Sequence, residues 1–175
     1  MAYITDTLPF VNQLCVLILI GLLTAAAVWD AATFTIPNWI SLILVALFIP
    51  YMLSMANPTW GDLGWRLLVA TIIFGVGFGM FAVNVMGGGD VKLMTAVALF
   101  VGANAIGDFV LAMALGGGAL CIGALLLRPI RRAMHLPVPS IRKTKVPYGL
   151  AICAGGYAVA LKQVDLSTFF SVGVL

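Results

Sequence analysis

Two aspartates carry the clearest chemical signal in this chain. All six acidic residues are aspartates, and two of them, Asp30 and Asp90, lie at the edges of long apolar segments. Ionisable groups at such positions are costly to bury, so they indicate function by default. Two carboxylates held close in a partly dry site share one proton. The ionised one can take a proton from water while the protonated one polarises a peptide carbonyl. The pair therefore predicts metal-free aspartic-protease chemistry.

Three consecutive glycines precede the second aspartate, at Gly87, Gly88 and Gly89. Without side chains they allow an extended substrate backbone to approach closely. They do not form a phosphate-binding loop, because the Gly-Lys-Ser/Thr sequence of a P-loop is missing. Taken singly, each aspartate also fits a structural role, and Asp90 in particular fits a helix cap.

The composition indicates what must position these residues. Hydrophobic residues make up 63% of the 175 residues and charged residues 9%, against about 25% charged in a typical soluble domain. We therefore expect a single all-α domain over residues 1–175, a polytopic membrane protein with about six transmembrane helices. The apolar segments are Phe10–Trp29, Pro37–Met55, Leu67–Val85, Val91–Ile106, Phe109–Leu127 and Tyr148–Val164.

The distribution of basic residues predicts the orientation. Six of the nine Lys and Arg residues lie between Arg128 and Lys145, which is typical of a cytoplasmic loop near anionic lipid and not of a nucleic-acid site. With six spans, this loop places Asp30 and Asp90 at the cytoplasmic boundary. The argument requires the segment Val91–Ile106 to cross the membrane. Its strongly apolar part is short, so a re-entrant course is the alternative.

The aspartate motifs resemble those of a known family. Gly87–Leu93 has the Gly-x-Gly-Asp pattern, Asp30 is followed by Ile-Pro-Asn at residues 36–38, and Val146–Gly149 provides a third feature. Together they resemble type IV prepilin peptidases, which are membrane aspartic proteases of the GxGD class. The larger members carry a cytoplasmic insertion with paired CxxC motifs, associated with N-methylation of the product. This chain has no such zinc-binding or methyltransferase insertion and is similar to the short CpaA/TadV-type peptidases of Flp (Tad) pilus systems.

The resemblance implies a function and a set of site residues. Asp30 and Asp90 would form the catalytic dyad, without metal or cofactor, in a bacterial inner-membrane protein whose active site faces the cytoplasm. The substrate would be a prepilin or pseudopilin precursor of a pilus assembly system, cut just before a hydrophobic helix. Two roles remain possible for Lys92: it contacts the substrate, or its charged end reaches the membrane interface without a functional partner. The residues expected to bind substrate or shape the site are Gly87, Gly88, Gly89, Lys92, Pro37, Asn38, Pro147 and Tyr148.

Two other functions fit part of the pattern. A small transporter or channel would use Asp30 and Asp90 as proton or cation sites. A non-catalytic assembly factor of a secretion system would tolerate the loss of both carboxylates.

Overall fold

The fold is built of α-helices. In a computed structural model, residues 2–55, 58–102, 105–133 and 148–164 are described, and within these ranges the chain forms six helices and no strand. They are α1 (Ala2–Thr33), α2 (Asn38–Leu53), α3 (Trp60–Ala82), α4 (Gly88–Ala98), α5 (Ile106–Ala133) and α6 (Tyr148–Gln163).

Three of the helices are long and apolar enough to cross a membrane. The spans are Leu8–Thr33 in α1, Trp60–Ala82 in α3 and Ile106–Gly123 in α5. The helices α2 and α6 have 16 residues each, which is about 24 Å of helix against a hydrocarbon core of about 30 Å. The prediction of an all-α membrane protein with six helices is therefore confirmed, with three candidate spans among the described residues; that all six helices cross the membrane stays a prediction.

The fourth helix is much shorter than its apolar segment. It has 11 residues, a length of about 16 Å, and it ends at Ala98, well before the predicted limit at Ile106. The chain turns there because the N–H of Phe100 bonds back to the Val97 carbonyl at 3.0 Å. The guanidinium of Arg66 donates to the Leu99 carbonyl at 3.1 Å, which satisfies a backbone group that the helix leaves without a partner.

This short helix occupies the centre of the bundle. It packs against α2, α3 and α6, while α5 packs against α6, and α1 against α2 and α6. Small residues allow two of these contacts to be close. A side chain at Gly116 would meet Ala154, and one at Gly156 would meet Leu23.

The bundle has two chemically different ends. At the end where α1 stops and α4 and α6 begin, which we call the aspartate end, lie Asp30, Asp90 and Gly149. The opposite end, which we call the network end, contains a group of side chains that interact with each other or with backbone carbonyls. These residues are Asn12, Tyr51, Ser54, Arg66 and Gln163.

Candidate active site

Asp30 lies in the last turn of α1 and is buried, with 3% of its surface exposed. Its Oδ2 atom accepts a hydrogen bond of 2.8 Å from the N–H of Gly149. The N–H of Leu150 also donates to this carboxylate. Both donors belong to the first turn of α6, where N–H groups have no partner within the helix and the helix dipole favours an anion. The start of α6 thus provides a preformed site for the Asp30 carboxylate.

Gly149 makes this approach possible. A Cβ atom at this position would lie 2.7 Å from Oδ2 of Asp30 and 2.9 Å from its Cγ. Cβ atoms do not approach other non-bonded heavy atoms this closely. Sequence reasoning did not select Gly149 as a site residue. The available signal was its place in the Val146–Gly149 motif, where the expectation fell on Pro147 and Tyr148 instead.

Asp90 lies in the first turn of α4 and is half-buried. Its Oδ2 atom accepts from the N–H of Gly87 at 3.1 Å, so this carboxylate does cap its own helix. Burial and, in second place, the negative charge of nearby Asp30 raise the pKa of the Asp90 carboxyl to about 6. The helix cap and the proximity to Asp30 therefore occur together, although sequence analysis treated capping as an alternative to function.

At the aspartate end, the connection between α1 and α2 lies against the start of α4. Phe34 ends α1 with a positive φ of 54°, a conformation that a bulky side chain adopts at a cost of about 1–3 kcal/mol. Its N–H bonds to the Asp30 carbonyl at 2.8 Å. Gly89 then faces the backbone of Ile36, whose carbonyl oxygen would lie 3.0 Å from a Cβ on the glycine. The start of α4 therefore lies directly against the segment that leads into α2.

The other predicted site residues that the structure describes lie at the starts of α2, α4 and α6. Pro37 caps α2 and Asn38 is its first residue, as expected. Lys92 is exposed and its Nζ donates to Oδ1 of Asn38 at 3.0 Å, so it connects α4 to α2. Tyr148 begins α6 and is half-buried. Pro147 lies outside the described residues.

Gly88 lies beside Phe81, and a Cβ there would make ordinary van der Waals contact with the ring at 3.4 Å. Within the described ranges, no group of three His, Cys, Asp or Glu residues comes together to hold a metal ion. Nor does a Lys or Arg side chain described there form an ion pair with Asp30 or Asp90; the ion pair found is between Lys162 and Asp108, at 2.6 Å. The arrangement is thus two carboxylates that accept hydrogen bonds from backbone N–H groups, with Asp30 close enough for its negative charge to raise the pKa of Asp90. Such a pair can share a proton.

A family model described as the type IV leader peptidase family matches residues 17–123. This is more than half of the chain, and the chain therefore belongs to the type IV leader peptidase family. The matched region contains both Asp30 and Asp90 and ends before α6. No curated protein and no solved structure matches the chain.

Family membership defines the general activity. Members are prepilin leader peptidases, which are aspartic proteases, and this chain is accordingly an aspartic endopeptidase of the leader-peptidase type.

Proposed function

We propose that this protein removes the leader peptide from Flp-type prepilins or pseudopilins, with Asp30 and Asp90 as the catalytic dyad. The observation that carries the proposal is the interaction of these two carboxylates, from α1 and α4, at one end of the bundle. The raised pKa of Asp90, about 6, suits a pair in which one member still holds a proton at mildly acidic pH.

The chemistry follows from this shared proton. The ionised carboxylate takes a proton from a water molecule, whose oxygen attacks the carbonyl carbon of the scissile peptide bond. The protonated carboxyl donates to the carbonyl oxygen and stabilises the charge that develops there. Proton transfer to the leaving nitrogen then breaks the C–N bond and releases a new amine and a new carboxylic acid. Because the carboxylates titrate as a pair, the proton belongs to both.

The proposed site lies at the cytoplasmic side of the bacterial inner membrane. Arg142, Lys143 and Lys145 lie three to six residues before Tyr148 in the sequence, and Tyr148 begins the helix that binds Asp30. Basic segments near membrane helices favour the cytoplasmic side. Trp29 and Trp39, both exposed, pack edge to face at 6.5 Å beside this end. Indole rings prefer the membrane interface, which supports a site at the membrane boundary.

The test is co-expression with a candidate prepilin, comparing the wild-type protein with Asp30→Asn and Asp90→Asn. We expect each variant to lose processing by about 10²–10⁴-fold, because neither can complete the proton transfers. The control is Asp108→Asn, which removes an exposed aspartate paired with Lys162 and should leave processing unchanged. Undiminished cleavage by either dyad variant, at equal protein level in the membrane, rejects the proposal.

The orientation has a separate test. Reporter fusions placed after Phe34 and within the Arg128–Lys145 segment should report the same, cytoplasmic compartment. Reports from opposite compartments contradict the proposed topology without affecting the assignment of the dyad.

A further inference from the structure

A lateral cleft separates α3 from α5. These two helices are both long enough to cross the membrane and share no extensive contact in the described chain. Between them lies α4, which at 11 residues is shorter than either of these helices. The result is an open cavity of about 420 Å³ with α3 and α5 as walls. All its lining side chains are aliphatic, aromatic or methionine, so it offers no polar partner to an occupant.

The cleft is as long as a short segment of helix. Along α3 its lining extends from Trp65 to Val76, a rise of about 16 Å or three helical turns. The floor is formed by buried residues, Val69 of α3, Met94 of α4 and Phe109 of α5. The exposed residues of the walls are Trp65, Leu68, Ile72, Val76 and Val110. This is a groove with a packed floor.

The cleft leads to the aspartate end. Met94 is four residues after Asp90, and residues at this spacing lie on the same helix face, one turn apart. On the opposing wall, Gly77 allows α3 to approach α4, since a Cβ there would lie 2.9 Å from the Met94 methyl. An apolar helix lying in the cleft would therefore reach the Asp90 carboxylate with its end.

We propose that this cleft docks the hydrophobic helix that follows the leader in the precursor, with its N-terminal end towards Asp90. The assignment rests on the leader-peptidase function proposed above, which requires an apolar helix next to the scissile bond. In this orientation the substrate helix runs antiparallel to α3 and α5, both of which run towards the aspartate end, so its helix dipole opposes theirs. A lipid acyl chain is the competing occupant.

Two pairs of neighbouring residues provide matched variants. Leu68 points into the cleft and Leu67 does not, although their exposed fractions are 50% and 48%. On α5, Val110 lines the cleft and the adjacent Leu111 does not. Substitution by Trp at Leu68 or Val110 narrows the cleft. The same substitution at Leu67 or Leu111 adds equal bulk outside it.

The experiment measures KM and kcat for cleavage of a full-length precursor. We expect Leu68→Trp and Val110→Trp to raise KM by about tenfold, as for loss of an interface contact, with kcat retained. Leu67→Trp and Leu111→Trp should match the wild type. KM values of the cleft variants within twofold of their controls overturn the inference. So does a fall in kcat alone, because that reports a displaced active site and not lost docking.

Cross-linking provides the second measurement. A photoreactive side chain at position 68, in the Asp90→Asn background, should form an adduct with the precursor, and one at position 67 should not. Lipid adducts alone at both positions overturn the inference in favour of an acyl chain. These outcomes are distinct from failure of the proposed function, in which Asp30→Asn and Asp90→Asn process the precursor normally.

Discussion

The network end and the aspartate end satisfy their polar groups in different ways. At the network end, side chains from four helices bond to each other or to distant carbonyls. The Tyr51 hydroxyl donates to Oε1 of Gln163 at 2.8 Å, and the Asn12 amide donates to the Ser54 hydroxyl at 3.3 Å. The buried guanidinium of Arg66 lies over the Tyr51 ring at 5.4 Å. Each bond joins residues far apart in sequence, so this end holds the helices to one another.

At the aspartate end the partners are backbone groups. Asp30 accepts from Gly149 and Leu150, and Asp90 from Gly87. Both carboxylates lie against a glycine, so there is no neighbouring side chain that could move to make room for a change. A change at the network end is therefore expected to alter mainly how firmly the helices are held. A change at the aspartate end alters the position of the reacting groups.

Among variants that keep both carboxylates, the largest loss of cleavage is expected for Gly149→Ala. The added Cβ would lie 2.7 Å from Oδ2 of Asp30, so the carboxylate or the start of α6 must move. We expect cleavage to fall by about a hundredfold, the order of loss that follows a displacement of about 1 Å at a reacting group. Initial rates of precursor processing, normalised to protein in the membrane, provide the measurement.

The matched control for this change is Gly118→Ala in α5, where an added Cβ meets nothing within 4 Å. It should retain full activity, because alanine in a helix is favoured over glycine by up to about 1 kcal/mol. Equal activity of Gly149→Ala and Gly118→Ala would contradict the close approach of Asp30 to the start of α6.

The next effect is expected at the network end, for Arg66→Met. Arg66 is 7% exposed and donates to the Leu99 carbonyl that ends α4. Removing this charged donor leaves a buried carbonyl unsatisfied, which costs about 2 kcal/mol of the free energy of unfolding. Thermal unfolding in detergent should show the loss, while kcat per folded molecule stays near the wild-type value.

Arg66→Lys tests the cause of that loss, because it keeps a positive donor near Leu99 and should recover part of the stability. A fall in kcat without a change in thermal midpoint would show that the two ends are not independent. In that case Arg66 would act on Asp90 through α4, the helix that connects them.

The sequence predicted the aspartate end better than the network end, for a physical reason. Asp30 and Asp90 stand out because a carboxylate in an apolar context is costly, and the starts of α2 and α6 followed from proline and polar residues before apolar runs. Tyr51 and Gln163, in contrast, are single polar residues 112 positions apart, and nothing in their spacing pairs them. Gly149 was missed in the same way, because its partner lies 119 residues away.

A tenfold effect is expected in the protonation of Asp90. Since its pKa is raised to about 6, the carboxyl is mainly protonated at pH 5 and mainly ionised at pH 7. Carbodiimides react with protonated carboxyls, so labelling of Asp90, followed by peptide mass spectrometry, should fall about tenfold between these two pH values.

The Asp30→Asn variant separates the two causes of this shift. Without the neighbouring negative charge, the pKa of Asp90 should fall below about 6. It should remain above 3.8 because burial is the larger cause. Labelling at pH 6 should therefore decrease in the variant. A labelling curve identical to that of the wild type would mean that the two carboxylates do not interact.

The smallest effect is expected for Tyr51→Phe, which removes one hydroxyl from the network end and keeps the ring beneath Arg66. The lost hydrogen bond to Gln163 should lower the free energy of unfolding by about 1 kcal/mol, and precursor processing should not change.

Adding Tyr51→Phe to Arg66→Met tests whether the side chains of the network end act as a unit. Because the Tyr51 ring touches the guanidinium, the double variant should lose less stability than the sum of the single variants. Strict additivity would show that the side chains at this end contribute independently, and the contrast between a connected network and an isolated carboxylate pair would then no longer hold.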